Sequence, residues 1–78
     1  MSWARRFRPP IALNDGRKLV TLADAHRLIL GLPEGRRQSH HWRQTGDLLM
    51  KAATRGGQFT FAQTLAQLPR ALRAEGLI

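Results

Sequence analysis

The sequence predicts an α+β fold in which an N-terminal β-hairpin packs against three α-helices, with helix as the dominant element. Three observations predict this class: an Asp-Gly pair between two short apolar stretches, three apolar stripes at helical spacing, and a length of 78 residues. A chain of this length can bury one small core and hardly a second. We expect a basic arm over residues 1–8 and a single small domain over residues 9–78.

The hairpin is predicted around residues 14–16, which read Asn-Asp-Gly. Glycine accepts the positive φ that a tight turn requires, so an Asp-Gly pair between apolar stretches is a strong hairpin signal. Pro10 at the start of the first strand predicts an edge position, because proline donates no ladder hydrogen bond. The turn length leaves two registers open, with Ile11 opposite either Val20 or Leu19.

The first helix is predicted to begin after Thr21, because Thr21 and Asp24 have the spacing of a capping box, with aspartate in the usual place of glutamate. Pro33 and Gly35 predict its end. Between them lies an apolar stripe at steps of three and four, formed by Leu22, Ala25, Leu28, Ile29 and Leu32.

The second helix is predicted from a cap at Ser39 to about Arg55, where a glycine pair at residues 56–57 supplies the stop. Trp42 lies on its apolar face. Gly46 costs about 1 kcal/mol relative to alanine inside a helix, which suggests that another segment packs closely against it.

The third helix has the most regular stripe. Thr60 and Gln63 predict a capping box at its start, and Gly76 predicts its end. Pro69 removes one backbone donor and clashes with the carbonyl of Leu65, so we expect a kink or a break into two short helices. The stripe consists of Phe61, Leu65, Leu68 and Leu72.

The three stripes and the hairpin together predict a core. Its members are Ile11, Leu13, Val20, Leu22, Leu28, Ile29, Trp42, Leu49, Phe61, Leu65, Leu68 and Leu72. Five large apolar residues are left over after these are buried: Trp3, Leu30, Phe59, Leu77 and Ile78.

Several of these features occur in the same order in a known family. They are an aromatic residue and proline before Ile11, a glycine-centred turn at residues 15–17, Asp-Ala opening the first helix at residues 24–25, Leu-Pro at residues 32–33, and a final helix. In these features the chain resembles a family of small uncharacterised alphaproteobacterial proteins with a domain of unknown function. The resemblance covers most of residues 7–75. It implies a β-hairpin followed by three helices, and it implies no activity and no functional residue.

Catalytic and metal-binding chemistry lacks candidates. His26, His40 and His41 are the only soft ligands, and the two adjacent ones point about 100° apart on a helix, unlike an i, i+4 zinc pair. Each of the five carboxylates is predicted to have a structural role, in a turn, in a helix cap, in a loop, on a solvated helix face or near the chain end. We therefore predict a non-enzymatic protein with no catalytic residue, no metal ligand, no cofactor and no small-molecule substrate.

Two absences bear on location. The chain has no cysteine, and prolines follow its basic N-terminus where the apolar stretch of a signal peptide would be. The longest apolar run, residues 28–33, is far shorter than the roughly 20 residues that span a bilayer. These features predict a cytoplasmic protein that does not bind membranes.

Positive charge is the strongest compositional bias. The formal net charge is +8, and 11 of the 13 basic residues are arginine, whose planar fork suits phosphate and guanine. One hypothesis is DNA binding by a helix-turn-helix-like pair, in which residues 36–43 open the second helix and a basic N-terminal arm contacts phosphates or the minor groove. Its candidate residues are Arg5, Arg6, Arg8, Arg36, Arg37, Gln38, His40 and Arg43. Trp3 and Phe7 could stack on bases, although aromatic residues more often close a core.

A competing hypothesis ranks narrowly first. The leftover apolar residues and the exposed hairpin edge would be covered in a homodimer or on a partner protein, which small domains often need. The arginine excess then reflects codon bias and a solvated surface, with only non-specific attraction to nucleic acid or other polyanions.

Overall fold

In the computed structural model, which describes residues 3–78, the chain forms a two-stranded antiparallel sheet followed by helices. The strands are β1 (Arg6–Ala12) and β2 (Lys18–Thr21), and the helices are α1 (Leu22–Leu30), α2 (Glu34–Arg37), α3 (His40–Arg55) and α4 (Gln58–Ala74). The predicted α+β class, helix-dominated with an N-terminal hairpin, is confirmed. The single turn of α2 lies between the predicted end of the first helix and the predicted cap of the second at Ser39.

The hairpin adopts one of the two registers that the sequence left open. Ile11 lies opposite Leu19, and a three-residue turn over residues 14–16 joins the strands. Gly16 has a φ of 91°, a left-handed conformation that favours glycine. Leu19 rather than Val20 is therefore buried in the core.

Strand β1 begins earlier than Pro10. Arg6 pairs with Thr21, and the register shifts between Arg6 and Ile11, where Pro9 and Pro10 offer no amide to the ladder. The strand thus takes in residues 6–8 of the predicted basic arm, while residues 1–2 of that arm lie outside the described residues.

Helix α1 begins with the predicted capping box. The hydroxyl of Thr21 accepts a hydrogen bond from the Asp24 amide at 3.3 Å, and the Asp24 carboxylate accepts one from the Thr21 amide at 3.1 Å. The same carboxylate accepts from the Val20 amide at 2.9 Å, which ties the end of β2 to the first turn of α1.

Helix α3 has the predicted limits, but its cap differs. The Ser39 hydroxyl donates to the Arg36 carbonyl at 2.7 Å and does not cap the helix. The expected close packing at Gly46 is wrong, because a Cβ at this position would meet no other segment within 4 Å.

Helix α4 differs from the prediction at its start and its middle. It begins at Gln58, so the predicted capping box at Thr60 is wrong. It also runs through Pro69 to Ala74 without the break into two helices that was one of the two expectations. Gly76 ends it as predicted: with a φ of 76°, it allows the Leu77 amide to reach the Leu72 carbonyl at 2.9 Å, as in a Schellman motif.

The core lies where α3 packs on α4, with α1 and the hairpin closing over it. It consists of Phe7, Leu13, Leu19, Leu22, Ala25, Leu28, Ile29, Trp42, Leu49, Ala52, Ala53, Leu68, Ala71 and Leu72. Four predicted members are not fully buried: Ile11, Val20, Phe61 and Leu65. Phe7 was missed because it was assigned to a basic arm, yet only 1% of its surface is exposed.

The five large apolar residues outside the predicted core differ in their burial. Trp3, Leu77 and Ile78 are half-buried and pack against the core. Leu30 and Phe59 remain 56% and 77% exposed.

Candidate anion-binding cleft

Most of the positive charge has no nearby carboxylate. Four of the 13 basic residues form ion pairs within residues 3–78, namely Arg17 with Asp15, Arg27 with Asp24, Arg36 with Glu75 and Lys51 with Asp47. Nine basic residues therefore have no carboxylate within 4.0 Å in the described part of the chain. Such unpaired positive charges favour an anionic partner.

Three of these nine residues meet at one cleft, which we call the arginine cleft. It lies between the N-terminal segment and the first half of α4 and has a volume of about 560 Å³. Its lining residues are Ala4, Arg5, Arg6, Arg8, Gln58, Phe61 and Leu65. None of them is acidic. The arginines form a cationic wall, and Phe61 and Leu65 form an apolar wall.

The alternation of β1 creates the cationic wall. Successive side chains of a strand point to opposite faces, so burying Phe7 leaves Arg6 and Arg8 together on the exposed face. Both side chains are free of hydrogen bonds to any residue of the described chain, and their donors are available.

The helical period of α4 creates the apolar wall. Gln58, Phe61 and Leu65 are spaced by three and four residues and share one face of the helix. The C-terminal half of the same stripe, Leu68 and Leu72, is fully buried in the core. The N-terminal half, Phe61 and Leu65, is only half-buried: Arg5 and Phe7 contact the Phe61 ring, and Phe61 and Leu65 both border the cleft.

Arg5 joins the two walls. Its guanidinium carbon lies 3.9 Å from the centroid of the Phe61 ring, a cation–π contact. The Phe61 ring is in turn stacked with Phe7, at 6.0 Å between centroids and 18° between planes. This contact holds the guanidinium in place while its N–H groups, which donate no hydrogen bond to residues 3–78, stay free for a ligand.

A second, smaller cleft of about 310 Å³ lies between the hairpin and α1, and it is less suited to an anion. Its wall includes the Asp24 carboxylate, which pairs with Arg27 at 2.8 Å. Its Arg17 side chain is also paired, with Asp15 at 2.6 Å. The Arg17 amide donates a hydrogen bond to the Asp15 carboxylate at 3.0 Å, which lowers the pKa of Asp15 and favours its charged form.

The remaining predicted site residues do not line the arginine cleft. Arg36 and Arg37 lie in α2, so α3 begins only at His40 and does not open with these arginines. Nine residues, 31–39, separate α1 from α3, more than the three or four of a usual helix-turn-helix. Gln38 is exposed and lies 3.5 Å from the Glu34 carboxylate. His40 and Arg43 are exposed on the first turn of α3.

Glu75 joins α2, α3 and the end of α4. Its carboxylate accepts from the Arg36 guanidinium and from the indole nitrogen of Trp42, each at 3.1 Å. Because Trp42 is buried, this carboxylate satisfies a donor that water cannot reach. Arg36 thus has a structural partner, unlike the three arginines of the cleft.

Two of the three histidines, His26 and His41, have aromatic packing contacts. The His26 ring packs on Trp3 with 4.8 Å between centroids and 35° between planes, and the His41 ring centroid lies 6.0 Å from that of Trp42. Within residues 3–78, no three His, Cys, Asp or Glu side chains are grouped as a metal site would require. Phe7 is buried, so it is Phe61, which the sequence assigned to the core, that faces the cleft.

Sequence reasoning missed Ala4, Gln58, Phe61 and Leu65 as cleft residues. One signal was present: Gln58 lies one helical turn before Phe61 and Leu65 on the same helix face, so a helix that begins before Thr60 places this polar side chain at the end of the apolar stripe. What the sequence does not reveal is that residues 4–8 lie against that face, because this depends on a long-range contact.

No family model, curated protein or solved structure matches the chain. The resemblance to the alphaproteobacterial family therefore stays a prediction. In the described part of the chain, no helix combines the length and the apolar character needed to cross a bilayer.

Proposed function

We propose that this protein is a non-enzymatic, cytoplasmic binding module whose partner is a nucleic acid, bound through the arginine cleft. The observation that supports the proposal is the meeting of Arg5, Arg6 and Arg8, all without a carboxylate partner in residues 3–78, in one cleft with no acidic lining. A formal charge of +8 adds a long-range attraction to any polyanion.

The chemistry of the cleft fits phosphate. A guanidinium group can offer two parallel N–H donors to one phosphate, and three such groups can follow consecutive phosphates along a chain. Arg6 and Arg8 lie on the same face of β1, where alternate residues are about 6.6 Å apart along a strand. This is within the range of the spacing between neighbouring phosphates on a flexible strand.

The test measures binding of fluorescently labelled oligonucleotides by anisotropy between about 50 and 200 mM salt. Each phosphate contact contributes a slope of about −0.7 to −0.9 to the logarithm of affinity against the logarithm of salt concentration. Replacing both Arg6 and Arg8 with alanine should therefore make the slope shallower by about 1.4 to 1.8.

The matched control replaces Arg70 and Arg73 with alanine. Both residues are exposed on α4 and lie outside the cleft, and neither has a carboxylate partner in the described chain. This control removes the same charge and should leave the slope nearly unchanged. Equal effects of the two double variants would show diffuse attraction without a site. Absence of binding at about 50 mM salt would contradict the proposal as a whole.

A second candidate function is self-association or docking on a partner protein, and the exposure of Phe59 favours it. This ring is 77% exposed at the start of α4, and Met50 and Leu30 are also exposed large apolar side chains. Sedimentation equilibrium over a wide concentration range tests self-association. We expect the wild type to dimerise and Phe59→Ser to weaken the dimer, whereas a monomer at every concentration would contradict a homodimer.

A further inference from the structure

The arginine cleft has two chemically different walls, and a purely electrostatic site would need only one of them. The guanidinium groups of Arg5, Arg6 and Arg8 can neutralise phosphates. Phe61, Leu65 and Ala4 present half-buried or exposed apolar surface to the same space. A ligand that fills the cleft therefore carries negative charge beside a flat apolar group.

We propose that the cleft selects single-stranded nucleic acid and holds an unpaired base against its apolar wall. This inference rests on the proposed function and specifies the form of nucleic acid bound there. A duplex presents phosphates and sugars at its surface while its bases are stacked inside, so it can contact the arginines but leaves the apolar wall uncovered. A single strand offers phosphates and exposed base faces within one nucleotide.

The contact between Arg5 and Phe61 provides the place for the base. The guanidinium lies 3.9 Å over the ring, and Phe7 extends the stack on the side of the core. Bases stack on guanidinium planes and on aromatic rings in proteins that bind single strands. Because the Arg5 guanidinium already covers one face of the Phe61 ring, a base that continues this stack lies on the outer face of the guanidinium, beside the apolar residues of the cleft.

The geometry of β1 directs the phosphates. Arg6 and Arg8 line the same cleft and lie on the opposite face of the strand from Phe7. A strand whose base stacks at Arg5 and Phe61 can place its flanking phosphates at these two side chains. Stacking does not depend on base identity, because every base has a π-face, so the site binds single strands with little sequence preference.

The experiment compares four ligands of equal length on the wild-type protein: a single strand, the matching duplex, a strand of abasic nucleotides, and inorganic polyphosphate. The protein is the same in every arm, so no result depends on the folding of a variant. We expect the single strand to bind at least tenfold more tightly than each of the other three, measured at about 100 mM salt.

A variant adds a second readout. Phe61→Leu keeps an apolar side chain but removes the ring that holds the Arg5 guanidinium in place, so the base loses its stacking platform and binding of the single strand should weaken at least fivefold. Binding of the abasic strand should not change. Circular dichroism and thermal melting check that the variant remains folded.

The outcomes separate this inference from the proposed function. Equal affinity for the abasic strand and the natural strand would overturn base recognition, and tighter duplex binding would overturn single-strand selectivity; in both cases nucleic-acid binding itself would stand. Tightest binding to polyphosphate would make the cleft a general polyanion site and contradict this inference. No binding to any nucleic acid would overturn both proposals.

Discussion

At the scale of single residues, the contrast between paired and unpaired charges separates structural side chains from candidate binding ones. Glu75 is the clearest structural case, because its carboxylate contacts both Arg36 and the buried indole of Trp42. Arg6 and Arg8 have no such partner within residues 3–78. Substitutions at these two kinds of position should therefore affect different properties, stability in the first case and binding in the second.

Glu75 allows its two contacts to be separated. Glu75→Ala leaves the buried donor of Trp42 without an acceptor and should cost about 1–3 kcal/mol of unfolding free energy. Glu75→Gln keeps an oxygen for the indole and loses only the pair with the exposed Arg36, which is worth about 0–1 kcal/mol. Urea unfolding followed by tryptophan fluorescence measures both. If the glutamine variant were as unstable as the alanine variant, the hydrogen bond to Trp42 would not be the main contribution.

Gly46 gives a stabilising prediction. It lies inside α3 with ordinary helical backbone, and a Cβ there would meet no other segment within 4 Å. Gly46→Ala should therefore raise the unfolding free energy by about 1 kcal/mol, since glycine loses more backbone entropy in a helix. Thermal melting should show a rise of about 4–8 °C for a domain of this size. An unchanged or lower melting temperature would mean that the glycine is needed at this position.

At the scale of elements, the capping box links β2 to α1 and makes stability depend on pH. Hydrogen bonds from the Val20 amide, then from the Thr21 amide, together with the Arg27 charge, lower the pKa of Asp24 below its usual 3.8. A carboxylate whose pKa is lowered by folding stabilises the fold at every pH above the pKa that it has in the unfolded chain. That contribution is lost as the pH falls through the pKa of the carboxylate in the folded protein.

We expect the difference in unfolding free energy between wild type and Asp24→Asn to be constant from about pH 5 to 7 and to shrink below about pH 4, where the wild-type carboxyl becomes protonated. Urea unfolding at pH 7, 5, 3 and 2 measures this difference. Asp15 is present in both proteins and its titration cancels in the comparison. A difference that persists unchanged at pH 2 would show that the charge of Asp24 is not what stabilises the junction.

The elements also show what the sequence can and cannot predict. The start of α1 and the stops at Gly56 and Gly76 were predicted, because capping boxes, glycines and helical stripes act over a few neighbouring residues. The start of α3 was predicted at the right residue, although Ser39 does not make the expected cap. The start of β1 was not predicted, because an arginine-rich segment has no apolar period; its residues belong to the strand because Arg6 pairs with Thr21, while Phe7 packs on Phe61 of α4. The arginine cleft was missed for the same reason, since it exists only where that strand meets α4.

The stripe of α4 illustrates this limit within one helix. The sequence treats Leu65 and Leu68 alike as core residues, yet Leu68 is fully buried and Leu65 borders the cleft. Periodicity specifies which face of a helix is apolar, and the chain packed against that face decides how deeply each position is buried.

At the scale of the whole molecule, the excess of like charge opposes folding. The chain measures 29 × 25 × 18 Å, and nine of its basic residues have no carboxylate partner among residues 3–78. At about 10 mM salt the screening length is about 30 Å, so each charge repels nearly every other one on the molecule. At about 150 mM it falls to about 8 Å, and only neighbouring charges interact.

We therefore expect sodium chloride to stabilise the protein. Raising its concentration from about 10 to 150 mM should increase the melting temperature by several degrees, because screening relieves more repulsion among the positive charges than it removes attraction within the four ion pairs. Replacing Arg70 and Arg73 with alanine lowers the charge and should reduce this salt effect. A melting temperature that falls with salt would mean that the ion pairs outweigh the repulsion, and the unpaired arginines would then no longer mark a surface that needs an anionic partner.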